Sequence, residues 1–433
     1  MRIGILRTAM ALAASVALLA ACDSGSEPSQ PAQKVNLTFW TWVPNIDAVV
    51  ARWNAANPNI QVTASNQAQG DELVTKLLTA DQAGNPPDLV QAEYQALPTL
   101  VSKDALADIS AEVSAAKSDF ADGVWQTVTL GTPAVYAVPQ DVGPMMLYYR
   151  EDEFTRLGLS VPKTWDEFAQ AARTVRQKSR KQFLTTFSSN DPGWFVGLAQ
   201  QAGAKWWGIN GDAWSVSVND AATKKVADYW GGLVSEGAVD DQPMYTPEWN
   251  KALNDGTLIA WPSAVWAPGV LSGNAADTKG KWKMAPMPQW TAGENSTGSW
   301  GGSSTAVTAK SKNKAAAAQF AVWLNTNAEA TTLLVQQGGL YPASKSAQTG
   351  PALQKAPDFF SNQADFYTLA AETAKGVQPF TYGPNVNVAY SAYNDEFGKA
   401  AESRSRAAFV AAVEAMQEVT IEDLKDSGFS VQE

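Results

Sequence analysis

Residues 35–42 (VNLTFWTW) are rich in β-branched and aromatic side chains, and the segment after them changes period. Ile46, Val49, Val50 and Trp53 recur at the three-and-four spacing of one helical face until Pro58. A strand followed by a helix is predicted. The alternation continues with a strand at 60–64, a helix at 72–83 closed by Gly84, and a strand at 88–92 behind Pro86-Pro87. Repeated units of this kind imply an α/β fold built on a parallel sheet. Residues 134–139 and 145–150 are extended runs separated by 140–144, a Gly- and Pro-containing stretch suited to a hinge between domains. Thr164-Trp165-Asp166-Glu167 is a capping box, with Phe168, Ala171, Ala172 and Val175 continuing the apolar face behind it. Thr246-Pro247 opens another helix in the same way. A strand at 183–187, helices near 194–202 and 221–235, a strand at 257–261, a glycine-led strand at 300–309 and a helix at 314–325 complete the pattern. No repeat of solenoid period is visible.

The start of the chain follows another logic. Arg2 and Arg7 precede a run from Ala9 to Ala21 in which only Ser15 is polar, and Cys22 follows at once. Such a run rises only about 20 Å as a helix, short of a hydrocarbon core of roughly 30 Å, and reads as a signal peptide over residues 1–21. Leu19-Ala20-Ala21-Cys22 resembles the bacterial lipobox, in which the cysteine is acylated after cleavage. Residues 22–34 then form a lipidated cysteine and a polar Ser-, Gly- and Pro-containing tether. An extracytoplasmic protein anchored to the cell membrane by lipid on Cys22 is expected.

Composition narrows the chemistry. With 433 residues, 45% of them apolar and 17% charged, the chain is long enough for two domains and too apolar for broad disorder. A net charge of -11 opposes nucleic-acid binding. The absence of histidine excludes Ser-His-Asp and Cys-His catalysis and every His-containing metal site. A lone cysteine forms no internal disulfide. No phosphate loop, dinucleotide fingerprint or nucleophile elbow is present.

Seventeen tryptophans remain to be explained. Most belong to the core by default, and Trp206, Trp207, Trp230, Trp282 and Trp323 are assigned there. In open α/β sheets ligands sit beyond the carboxyl ends of strands, which singles out another set. It comprises Trp40, Trp42 and Asn45; Glu93 and Tyr94; Gln140 and Asp141; and, at later turns, Trp194, Trp266, Trp300, Gly302 and Ser303. A sugar offers apolar C–H faces to flat rings, and hydroxyls to carboxylates and amides. Trp194 and Trp266 are the expected stacking plates, with Glu93 and Asp141 as acceptors. Trp40 alternates with Phe39 and fits the core as well; Glu93 and Asp141 also fit helix caps or surface positions.

Several stretches together resemble the family 1 extracellular solute-binding proteins of ABC importers, the maltodextrin-binding type. They are LTFWTW, NPPDLVQAEY, VYAVPQDVGPMMLYYREDEFTRLGL, VPKTWDEFAQAA, TLIAWPSAVWAPG and WGGSSTAV, in order from about residue 37 to 342. The resemblance implies a two-lobed periplasmic-binding-protein-like α/β fold of type II, with ligand in the cleft between lobes and closure by hinge bending. One lobe is expected over 35–141 plus 303–341, the other over 142–302 plus 342–433. Trp40, Trp42, Glu93, Asp141, Trp194, Trp266, Gly302 and Ser303 match the family's site positions. Ala264-Val265 and Gln140 depart from its usual residues. The partners implied are a sugar, an oligosaccharide in particular, and the transmembrane permease subunits. A monomer that catalyses nothing and needs no cofactor or metal is expected. Two other readings compete: a secreted glycoside hydrolase with paired carboxylates, and the same binding fold holding a peptide, polyamine or metal chelate. Tyr382 and Asn385, near the end of the chain, are left without a role.

Overall fold

A computed structural model describes residues 34–211 and 213–432. The signal peptide, Cys22 and the tether up to residue 33 lie outside the described residues. The described residues form ten strands: β1 (Val35–Thr41), β2 (Ile60–Asn66), β3 (Leu89–Glu93), β4 (Ala137–Arg150), β5 (Trp207–Asn210), β6 (Ala213–Val216), β7 (Ala260–Ala264), β8 (Trp282–Pro286), β9 (Ser299–Val307) and β10 (Val431–Gln432). β1 lies between β2 and β3 and is parallel to both, as the strand–helix alternation requires. Within this sheet the parallel pattern stops there, while in a separate three-stranded sheet β10 runs parallel to β6. β9 pairs antiparallel with β3 and β4, and the far half of β4 pairs antiparallel with β7 and β8. Periodicity finds strands but not their directions, so the expectation of a wholly parallel sheet is corrected to a mixed one.

Helix starts were well marked in the sequence. The Thr164 hydroxyl accepts from the Glu167 amide at 3.1 Å and opens helix Trp165–Lys178. The Glu167 carboxylate completes the box on the Lys163 N–H at 2.7 Å, one residue before the cap. Two predicted strands change. Residues 183–187 make only isolated pairings, Phe183 with Leu258 and Thr186 with Asp240. Residues 257–259 partner Phe183 but not Thr186, and the regular strand β7 begins at Ala260.

Two hydrophobic cores form. The first draws on 37–138 and 306–343 and includes Phe39, Trp53 and Phe320, whose rings meet edge to face. The second draws mainly on 145–300 and 335–424, with Trp165, Trp194 and Trp230 at its centre. This is a two-lobed α/β fold. Residues 140–144 pass between the cores without leaving β4; they stay in the strand, with irregular pairing to β9 on either side of Asp141. A bulged strand can bend while keeping its ladder, which the loop-like sequence did not reveal. A third passage runs alongside, where the Val142 N–H donates to the Tyr341 carbonyl and the Ala343 N–H to that of Gln140, each at 3.0 Å. No helix among the described residues is long and apolar enough to cross a membrane.

Candidate functional site

A cleft of about 1040 Å³ opens between the two cores. One wall comes from the first lobe, through Trp42, Asp71, Glu93, Gln95 and Thr99; the other carries Asn190, Asp191, Tyr245, Trp266, Tyr382 and Tyr390. The floor is made by the passing strands, with Asp141, Gly301, Gly302 and Ser303.

Sheet register assembles the floor. Ser303 of β9 sits opposite Glu93 of β3 on one side and Asp141 of β4 on the other. Two strand spacings therefore put the two acidic residues about 10 Å apart across one serine. The Ser303 hydroxyl is hydrogen-bonded to Asp141 Oδ1 and accepts from Gln91 Nε2 at 2.9 Å. Gln91 Oε1 in turn accepts from the Thr41 hydroxyl at 2.6 Å and from the Trp42 N–H at 3.2 Å. A buried polar chain thus runs from the end of β1 to the strand joining the lobes. Gly302 has φ +100°, and a Cβ there would come within 2.9 Å of the Tyr94 ring. The glycine lets the floor backbone lie on that ring.

Burial governs the carboxylates. It pushes Glu93 up to about 7, helped by the charges of Asp71, Asp141 and Asp191. Asp141 rises to about 6, because desolvation outweighs its bonds to Ser303. Asp191 rises to about 7 by burial, opposed by the Trp194 and Gly193 amides and the Trp300 side chain. Among the described lining residues Lys103 is the one basic side chain, so the cleft is strongly acidic. Among the described residues no group of acidic or sulfur ligands is arranged to hold a metal ion.

The second wall is aromatic. Trp266 and Trp300 meet edge to face with centroids 4.7 Å apart, and Trp266 Nε1 donates to the Trp300 carbonyl at 2.9 Å. Tyr245 stands 6.4 Å from Trp300 and is 43% exposed, with φ +66°. A bulky residue held in the left-handed region marks a position where the fold tolerates strain to present a side chain.

The predicted residues divide accordingly. Trp42, Glu93, Asp141, Trp266, Trp300, Gly302 and Ser303 line the cleft. Trp194 does not: it is fully buried against Phe187 and Trp230, and its Nε1 donates to the Pro262 carbonyl at 3.0 Å. Asp191, the residue that caps its helix, faces the cleft instead, because a cap projects from the helix end while the third residue turns into the core. Trp40 lies within β1, outside the lining, with the Lys76 ammonium 5.1 Å from its ring. Asn45 is an exposed left-handed helix cap. Gln140 is buried below the floor, where its Oε1 accepts from the Thr305 hydroxyl at 3.0 Å. Tyr94 is buried and supports the floor, its hydroxyl donating to the Asp141 carbonyl at 3.0 Å. Sequence reasoning missed Asp191 and Tyr245 and gave Tyr382 and Tyr390 no place. The Asp191-Pro192-Gly193 cap signal was available for the first; nothing local marked the others.

Fold and cleft together define a two-lobed binding protein. The chain belongs to the bacterial extracellular solute-binding protein family, whose model matches residues 41–331. An arabinooligosaccharide-binding protein of Bacillus subtilis is 21% identical over 92% of both chains. A lactose-binding protein of Rhizobium radiobacter is 27% identical over 77% of this chain and 81% of its own. Among solved structures, the galacto-N-biose/lacto-N-biose I-binding protein of a Bifidobacterium longum ABC transporter, in complex with lacto-N-biose, is 29% identical with a TM-score of 0.84. The match covers 93% of this chain and 100% of that one. An ABC-transporter-associated binding protein of B. animalis subsp. lactis, in complex with β-1,6-galactobiose, gives 27% identity and a TM-score of 0.80 over 93% and 100%.

Proposed function

We propose that this protein captures a short, uncharged oligosaccharide in the cleft by hinge closure and delivers it to the permease of an ABC importer, catalysing nothing itself. The observation that carries this reading is the opposition of two surfaces. Tyr245, Trp266 and Trp300 line the second wall of a cleft of about 1040 Å³ that has Glu93 on its first wall and Asp141 on its floor. Rings on one side accept the C–H face of a sugar, and acceptors on the other bind its hydroxyls. The acidic lining disfavours phosphorylated or otherwise anionic ligands. Glu93, Asp141, Asp191, Tyr245 and Trp266 are the residues assigned to contact. The lobes are divided at 141/142, 302/303 and 341/342; the first two breaks separate segments that feed different cores, and around residues 335–343 the chain feeds both. Acylation of Cys22 after removal of residues 1–21 would tether a monomer to the membrane beside its permease.

Isothermal titration with lacto-N-biose, β-1,6-galactobiose, lactose and arabino-oligosaccharides tests the reading, with a reducing-end assay on the same mixtures. Saturable binding to at least one without new reducing ends is expected. Hydrolysis would favour the glycoside hydrolase, and binding of polyamines or peptides in place of every sugar would overturn the ligand class.

A further inference from the structure

The cleft is bridged by a hydrogen bond to which the connecting strands contribute nothing. The Thr99 hydroxyl, on helix Leu97–Ser102 of the first lobe, donates to the Pro384 carbonyl at 2.9 Å. Pro384 belongs to a segment beside the second core, and both residues line the cleft.

The acceptor is held from behind on both sides. Gly383 lies flat on the Trp207 indole: a Cβ there would come within 2.2 Å of Nε1. Trp207 is itself buried in β5. On the other side the Asn385 amide, 5% exposed, donates to the Thr420 carbonyl and to the Asp423 carboxylate, each at 2.9 Å. Both acceptors sit on helix Arg406–Asp426. With its two neighbours held and its own φ fixed by the ring, Pro384 presents its carbonyl from a restrained stretch of backbone. The donor is a β-branched side chain directly after Pro98 in a short helix, with few χ1 rotamers open to it.

We propose that Thr99 and the Pro384 carbonyl form an interlobe clasp, a positioning contact that holds the lobes closed and sets how long a captured ligand stays. The inference rests on the two-lobed binding reading and is independent of whether the ligand is a sugar. When the lobes part, both groups exchange each other for water, so the bond carries only the net weight of a neutral hydrogen bond. That amounts to roughly a fivefold shift in the closed-to-open ratio.

The test uses the chain carrying Cys22→Ser, with spin labels on Glu112→Cys and Glu422→Cys, both exposed and in different lobes. Interlobe distances are measured without ligand for the parent, Thr99→Val, which keeps the shape and loses the donor, and Thr99→Ser, which keeps the hydroxyl. The short-distance population should fall relative to the long one by about fivefold in Thr99→Val and recover in Thr99→Ser. Identical distributions in all three overturn the clasp. Where lacto-N-biose or β-1,6-galactobiose binds, it should dissociate about fivefold faster from Thr99→Val only. Failure of every sugar to bind would count against the sugar reading alone, because the distance measurement decides the clasp by itself.

Discussion

Trp194 and Trp266 look alike in sequence, each in a Pro-Gly turn after a strand or loop, yet their environments predict opposite phenotypes on truncation to alanine. Trp194 is fully buried, 5.1 Å from Trp230 and 5.6 Å from Phe187 between ring centroids, and its indole N–H is satisfied by Pro262. Trp194→Ala would leave a cavity among rings already locked by their neighbours, a loss of about 3 to 5 kcal/mol of stability. Trp266 is only partly buried, with the cleft before it and Trp300 behind. Trp266→Ala loses the bond to the Trp300 carbonyl, worth about 1 kcal/mol, and a limited share of apolar contact, so the fold should survive. Binding is another matter. Removing a stacking face from the wall should cost on the order of 2 kcal/mol, roughly a thirtyfold loss of affinity. Calorimetric melting and titration with lacto-N-biose or β-1,6-galactobiose measure the two quantities separately. A Trp194→Ala variant that melts like the parent but binds poorly, or a Trp266→Ala variant that cannot fold or binds undiminished, would reverse the two assignments.

Three further outcomes follow from the same geometry. Glu93 moves from an ordinary 4.5 to about 7 on folding. The folded chain therefore holds a proton that the unfolded chain releases, and this contribution to stability is fully present below about pH 4 and lost as pH rises towards about 7. Glu93→Gln should accordingly raise the melting temperature at about pH 8, by the equivalent of about 1 to 3 kcal/mol, and leave it nearly unchanged at about pH 4. A difference between the two melting curves that does not vary with pH would sink this account. Tyr245→Asn, at φ +66°, should stabilise the ligand-free protein by about 1 kcal/mol while weakening binding, and a variant that binds as well as the parent would remove Tyr245 from the site. Gly143→Ala would drive a Cβ to 2.1 Å from the Trp300 carbonyl oxygen, between β4 and β9. A loss of about 2 kcal/mol or more in chemical denaturation is expected, and an unchanged midpoint would contradict the close approach.

The sequence by itself determined what local physics determines. Period change located β1, β2 and β3 with the helices between them, and the side-chain oxygens of Thr164, Asp191 and Thr246 set where three later helices begin. Strand ends nominated Trp42 and Glu93, the hinge-like stretch Asp141, and turn-rich sequence Trp266, Trp300, Gly302 and Ser303, although Asp141 lies within β4 and Trp300 to Ser303 at the start of β9. What the sequence could not hold is whatever depends on which strand lies beside which. Glu93 and Asp141 become neighbours only because Ser303 takes its place in register between them, and β9 reaches that position from more than 150 residues away in the chain. Strand direction, and with it the mixed sheet, was decided in the same way. So was the fate of each aromatic: Trp194, Trp40 and Tyr94 carry the same chemistry as Trp266 and Tyr245, and only three-dimensional neighbours turn one ring into core and another into wall. The clasp at Thr99 and Pro384 lies furthest from sequence, since it joins a hydroxyl and a carbonyl with no pattern between them and exists only where two separately packed lobes meet.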